Sequence, residues 1–175
     1  MNDPPLSRPY NLGRLGQTGD EVILDADAAE RAALAKAAAV LEVPKFSARI
    51  VLKKLSPTRF ALHYDLAAEI IQACVVTLEP LVARIAKDFV RELHHTPNLH
   101  RAGMEKEVIV SPGDDELPDE IESLHYDLAG PLLEEFLLAI DPYPRAPGVE
   151  FAPPEGMGDK PESPFAVLKA LKSGD

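Results

Sequence analysis

Phe60-Ala61-Leu62-His63-Tyr64-Asp65-Leu66-Ala67-Ala68-Glu69-Ile70 decides the fold. Phe60, Leu62, Tyr64, Leu66, Ala68 and Ile70 fall on one parity, while Ala61, His63, Asp65, Ala67 and Glu69 fall on the other. Successive side chains of a strand point to opposite faces, so this alternation specifies a long half-buried strand with a dry and a wet side. Upstream, Phe46, Ala48, Ile50 and Leu52 alternate in the same way, and Ser56-Pro57-Thr58 supplies a turn. Downstream, Thr77-Leu78-Glu79-Pro80 breaks the run. A third alternating stretch follows, with Leu81, Ala83, Ile85 and Phe89 on one face and Arg84, Asp88 and Glu92 on the other. Residues from about 45 to 92 therefore read as a three-stranded antiparallel meander with one face to be covered.

The cover is expected from helices. Asp27 followed by Glu30 forms a capping-box pattern ahead of the alanine-rich run Ala28 to Val40, with Leu34, Ala38 and Leu41 at helical spacing. Asp127 is placed to cap a second helix through Ile140, whose apolar stripe is Leu128, Leu132, Phe136, Leu137 and Ile140 while Glu134 and Glu135 face water. Asp141-Pro142-Tyr143-Pro144 stops it. Around this frame, Ser7 to Leu12 reads as an edge strand, Glu21 to Leu24 and Val108 to Val110 as short strands, and His94 to His100 as a loop. Pro164 to Lys172 reads as a short amphipathic helix. The expected fold is α+β: an antiparallel meander or open barrel-like sheet packed by two main helices, with a short C-terminal helix. Residues 1–145 form one domain, and 146–175 a Pro- and Gly-rich tail.

With 18 Lys and Arg against 29 Asp and Glu, the 175-residue chain carries a net charge of -11. Such a surface repels phosphate backbones, whose affinity for proteins comes from Lys and Arg, and favours basic partners. The N-terminus lacks the basic and apolar regions of a signal peptide, and no apolar run reaches membrane-spanning length. A cytosolic location is expected.

Few residues invite chemistry. A single cysteine, Cys74, excludes an internal disulfide and a cysteine-based zinc site. As a nucleophile it needs an activating base or helix terminus, which its neighbours do not supply, so its ordinary reading is packing. His94, His95 and His100 could ligate a metal in a small hydrolase, yet they match no established ligand spacing. His63 and Asp65, two apart on one strand face, could be a base and its orienter, but no nucleophile accompanies them. The acidic stretch with Asp114, Asp115, Glu116, Asp119, Glu120 and Glu122 lacks the spacing of a calcium loop and reads as a solvated loop or a landing site for a basic segment. No phosphate-binding or dinucleotide fingerprint is present. The residues alone thus specify an α+β binding module with no catalytic residue, metal or cofactor; pairing of an exposed sheet edge in a structural dimer is a further option.

Three stretches add a resemblance. Gln72-Ala73-Cys74-Val75-Val76-Thr77-Leu78-Glu79-Pro80, Leu133 to Pro144 and Ser163 to Lys172 resemble, in order and spacing, a turn, a late helix and a C-terminal signature of the YceD family, in the form of its alphaproteobacterial branch. The resemblance implies a non-enzymatic role in ribosome assembly, supporting accumulation of large-subunit ribosomal RNA through a basic ribosomal protein or an assembly intermediate. It also implies contact residues: Cys74, Thr77, Leu78, Pro80, Pro142, Tyr143, Pro144, Pro164, Phe165, Leu168 and Leu171. Many family members carry a second cysteine in the turn and another downstream. Here Thr77 occupies the turn position and Ala146 to Phe151 holds no cysteine, so the resemblance points to shape or contact at the turn.

Overall fold

A computed structural model of the chain describes residues 4–97 and 118–150. The meander is its centre. Strands β3 (Glu42–Lys54), β4 (Arg59–Ala73) and β5 (Pro80–His95) pair antiparallel in sequence order. The register sets Phe46 opposite Ala68, Ile50 opposite Tyr64, and Tyr64 in turn opposite Phe89. All six even positions from Phe60 to Ile70 are buried, as the alternation predicts. Where β3 enters the sheet, its register shifts between Glu42 and Lys45, and Pro44, which has no amide to donate, sits in that irregularity. Ser56 closes the first hairpin, its Oγ accepting from the Thr58 and Arg59 amides at 3.3 and 3.1 Å.

The sheet grows at both sides. Strand β2 (Asp20–Asp25) adds antiparallel to β3. Its entry depends on Gly19, whose φ of 76° is left-handed and whose absent Cβ would lie 2.5 Å from the Leu52 carbonyl oxygen. Strand β6 (Asp119–Ile121) adds to β5, but parallel to it, over Leu93 to His95. The result is a five-stranded mixed sheet, not closed into a barrel, in the order β2-β3-β4-β5-β6. This corrects two expectations. His94 and His95 end a strand rather than open a loop, and Asp119 and Glu120 pair with that strand rather than forming a solvated acidic loop. Asp114, Asp115 and Glu116, the expected strand at Val108 to Val110 and the expected C-terminal helix lie outside the described residues.

The Ser7 to Leu12 segment does not join the meander. Pro9–Asn11 forms β1, which pairs with β7 (His125–Asp127) as a separate two-stranded sheet. Asn11 then caps a 3-10 turn over Leu12–Arg14.

Two helices lie over the apolar face. Helix α1 (Ala28–Ala37) opens with the capping box intact: the Asp27 side chain accepts from the Glu30 amide at 2.9 Å, and Glu30 accepts from the Asp27 amide at 2.9 Å. Glu30 also accepts from both terminal guanidinium nitrogens of Arg8, at 2.6 and 2.9 Å, and this pairing holds its carboxyl below the usual range. The helix ends earlier than its alanine run, because Ala39 turns the chain at φ 52°. Leu34 is buried, but Leu41 falls beyond the helix and is exposed, so it is not part of the stripe.

Helix α2 (Ala129–Ala139) carries more of the cover: Ala129, Pro131, Leu132 and Phe136 are buried in it. Phe136 meets Phe46 of β3 edge-on, with centroids 5.2 Å apart. Leu137, expected inward, is half exposed; the helix rests on the line through Leu128, Leu132 and Phe136, and position 137 lies about 100° round from Phe136. Glu134 faces water but reaches Arg91 of β5 at 2.9 Å. The opposite face of the sheet, including His63, Asp65 and Ala67, remains exposed.

Candidate functional site

The surface that gathers most of the sequence-selected residues is the turn between β4 and β5. Ala73 ends β4 and Pro80 begins β5; the six residues between close on themselves. The Cys74 amide donates to the Glu79 carbonyl at 2.8 Å and the Leu78 amide to the Cys74 carbonyl at 2.9 Å. Making both bonds places Leu78 at φ 61°, a left-handed conformation that side chains other than glycine adopt at a cost of about 1 kcal/mol. The strained residue is an apolar one, 76% exposed.

The segment after α2 docks on this turn. Gln72 is the buried polar side chain of β4, and its Nε2 donates to the Asp141 carbonyl at 2.9 Å. The Asp141 carboxylate accepts from the Tyr143 amide at 2.8 Å, bending the chain. The Val75 amide then donates to the Pro144 carbonyl at 2.9 Å, and the Ala146 amide to Cys74 Sγ at 3.4 Å. Prolines suit a segment held in this way, since each carbonyl can accept while no ring nitrogen is left without a partner.

Cys74 is therefore the centre of the junction. It has no exposed surface, and it is buried beneath the turn without belonging to the main hydrophobic cluster. Its thiol is pulled down to about 6. The Thr77 hydroxyl is the largest cause, followed by the Thr77 and Ala146 amides, with burial acting against them and the Val76 amide adding a little. Donors that the local sequence did not reveal thus come partly from the turn itself and partly from a residue 72 positions away.

The sign of this shift makes a prediction. A thiol whose folded value lies below its ordinary 9.0 stabilises the fold most where both folded and unfolded forms are ionised. That contribution is fully present above about 9, shrinks as pH falls, and is gone below about 6. The melting temperature of the native chain should therefore rise relative to Cys74→Ala as pH increases through that window. A gap between the two that stays constant with pH would show that Sγ is not ionised.

Seven of the residues singled out from sequence meet here: Cys74, Thr77, Leu78 and Pro80 from the turn, and Pro142, Tyr143 and Pro144 from the docked segment. Val75, Leu78 and Tyr143 leave large apolar surface in solvent, Tyr143 being 72% exposed, and Glu79 and Asp141 add negative charge. Pro164, Phe165, Leu168 and Leu171 lie outside the described residues. Gln72, Val75 and Ala146 were missed. For Gln72 a signal existed: it shares the parity of the buried face, and a buried amide needs partners.

The other candidates do not assemble. His94 and His95 end β5 as neighbours on opposite faces, and His100 lies outside the described residues. Among the described residues no group of three His, Cys, Asp or Glu could hold a metal ion, and no hydrogen bond joins His63 to Asp65. No helix among them is long and apolar enough to cross a membrane. No protein-family model, curated protein or solved structure matches the chain.

Proposed function

We propose that this chain is a cytoplasmic, non-enzymatic ribosome-biogenesis factor of the YceD type, which supports accumulation of large-subunit ribosomal RNA by docking a basic ribosomal protein or assembly intermediate. One observation carries the proposal: two stretches that resemble the family, Gln72 to Pro80 and Leu133 to Pro144, form a single hydrogen-bonded surface. That surface has the make-up of a protein-binding patch. It presents one aromatic and two aliphatic side chains on a hydrogen-bonded support, with carboxylates at its border. The net charge of -11 steers a basic partner towards it and makes association weaken with salt.

Depleting the protein from its cells should lower large-subunit relative to small-subunit ribosomal RNA, and the native chain should restore the ratio. Leu78→Asp combined with Tyr143→Ser should fail to restore it while melting like the native chain. Loss of two such anchors costs on the order of 2 kcal/mol or more, roughly 30-fold in affinity. An unchanged RNA ratio on depletion ends the assembly role; full rescue by the double variant ends the assignment of this surface.

A further inference from the structure

Strand β5 pairs with β4 along its whole length, whereas β6 meets its other side only from Leu93 to His95. Among the described residues the outer edge from Leu81 to Glu92 has no strand beside it. No described strand takes up the amides and carbonyls along that edge, and such a row is able to pair with another chain.

The side chains along this edge are arranged to receive a copy of themselves. On the exposed face of the sheet β5 presents Val82, Arg84, Ala86, Asp88 and Val90. Val82 and Val90 are large apolar residues left in solvent. Asp88 stands directly opposite Asp65 of β4, a like-charge pair that disfavours the isolated sheet, and among the described residues it has no ion-pair partner. The Arg84 side chain is 85% exposed; its Nε donates to Glu69 of β4 at 3.2 Å, which leaves its terminal nitrogens in solvent at the edge. Counting outward from Ala86, the residues two away are opposite in sign and those four away are both valine.

We propose that the free edge of β5 is a homodimer interface, in which two copies pair antiparallel about Ala86 and join their five-stranded sheets into one. In this register Arg84 faces Asp88 of the partner subunit, Val82 faces its Val90, and the same contacts repeat across the two-fold axis, as an isologous interface requires. Arg84 of each copy thereby reaches the Asp88 that its own sheet leaves opposed to Asp65. On the covered face Ala83 falls opposite the partner's Phe89, and Lys87 opposite the partner's Ile85. Neighbouring registers lack this match. A shift of two residues one way sets Lys87 against its own copy; the other way sets Asp88 against Val82. A shift of one places the covered face of one sheet against the exposed face of the other. This inference stands apart from the assembly role proposed above.

Light scattering and sedimentation of the full chain over a concentration range should show a reversible monomer–dimer equilibrium. Arg84→Glu and Asp88→Lys each set like charges against one another twice, and each should weaken the dimer by about tenfold or more. An equimolar mixture of the two variants should recover it, because each then meets an opposite charge. Melting curves verify that both fold, and Val90→Lys supplies the disrupting charge if either does not. A chain that stays monomeric at its highest soluble concentration overturns the proposal. So does a dimer indifferent to these changes, or a mixture that fails to recover.

Discussion

Phe136→Ala should destabilise the protein by about 3–5 kcal/mol, lowering the melting temperature by on the order of 10 °C. The ring has no exposed surface and stands edge-on to Phe46, so it joins α2 to β3 across the whole cover of the sheet. Its removal forfeits the burial of an aromatic side chain and the quadrupole contact, and opens a cavity that the surrounding rigid strands cannot close. Urea denaturation of the native and variant chains measures the difference directly. Leu138→Ala on the same helix is the control: Leu138 is 81% exposed, and its loss should stay within about 0.5 kcal/mol. A Phe136 effect as small as that of Leu138 would mean that α2 does not seal the core.

Asp127→Ala should be the next most damaging change, at about 2–3 kcal/mol, because it removes charge-assisted hydrogen bonds to three donors at once. Asp127 Oδ1 accepts from the Arg8 amide at 2.7 Å and the Ala129 amide at 2.9 Å, and Oδ2 accepts from Ser7 Oγ at 2.7 Å. One carboxylate thus ends β7, satisfies a first-turn amide of α2 and anchors β1. The chain next to it is tied as well, by the Leu128 amide to the Arg8 carbonyl at 3.0 Å and by Arg8 to Glu30 at the start of α1. Asp127→Asn keeps acceptor oxygen but loses the charge, and should cost less than alanine. Hydrogen exchange localises the effect: the amides of Arg8, Tyr10 and Ala129 should exchange faster in Asp127→Ala. If they keep native protection, the two-stranded sheet is held by something other than this carboxylate.

Asp127 also shows how far local sequence can be followed. Its place just ahead of a helix was legible from a carboxylate before an apolar run, but the expected cap is corrected: Leu128 holds the cap position with no side-chain bond, and Asp127 ends β7 while accepting from the Ala129 amide. Its two bonds to Ser7 and Arg8, some 120 residues earlier, were not legible. The same division runs through the candidate site. Cys74, Leu78, Pro142 and Tyr143 each stood out within their own short stretch, but their meeting depends on Gln72, Val75 and Ala146 reaching across the fold. The placement of Leu41 and Leu137 erred for a related reason. Helical spacing assigns them to a stripe, but where the helix stops and how it is rotated on the sheet are set by what lies beneath it.

Features with short-range causes were readable from the residues: the three meander strands from their period of two, the capping box of α1 from Asp27 and Glu30, and the proline stop after α2. Long-range packing instead set the parallel course of β6 beside β5, the departure of β1 from the meander to β7, and the closure of the β4–β5 turn on Pro144. The physical reason is that a backbone amide or carbonyl carries no record in its side chain of which distant group will satisfy it. Those partners are chosen when the apolar faces collapse and every buried donor must find an acceptor within reach.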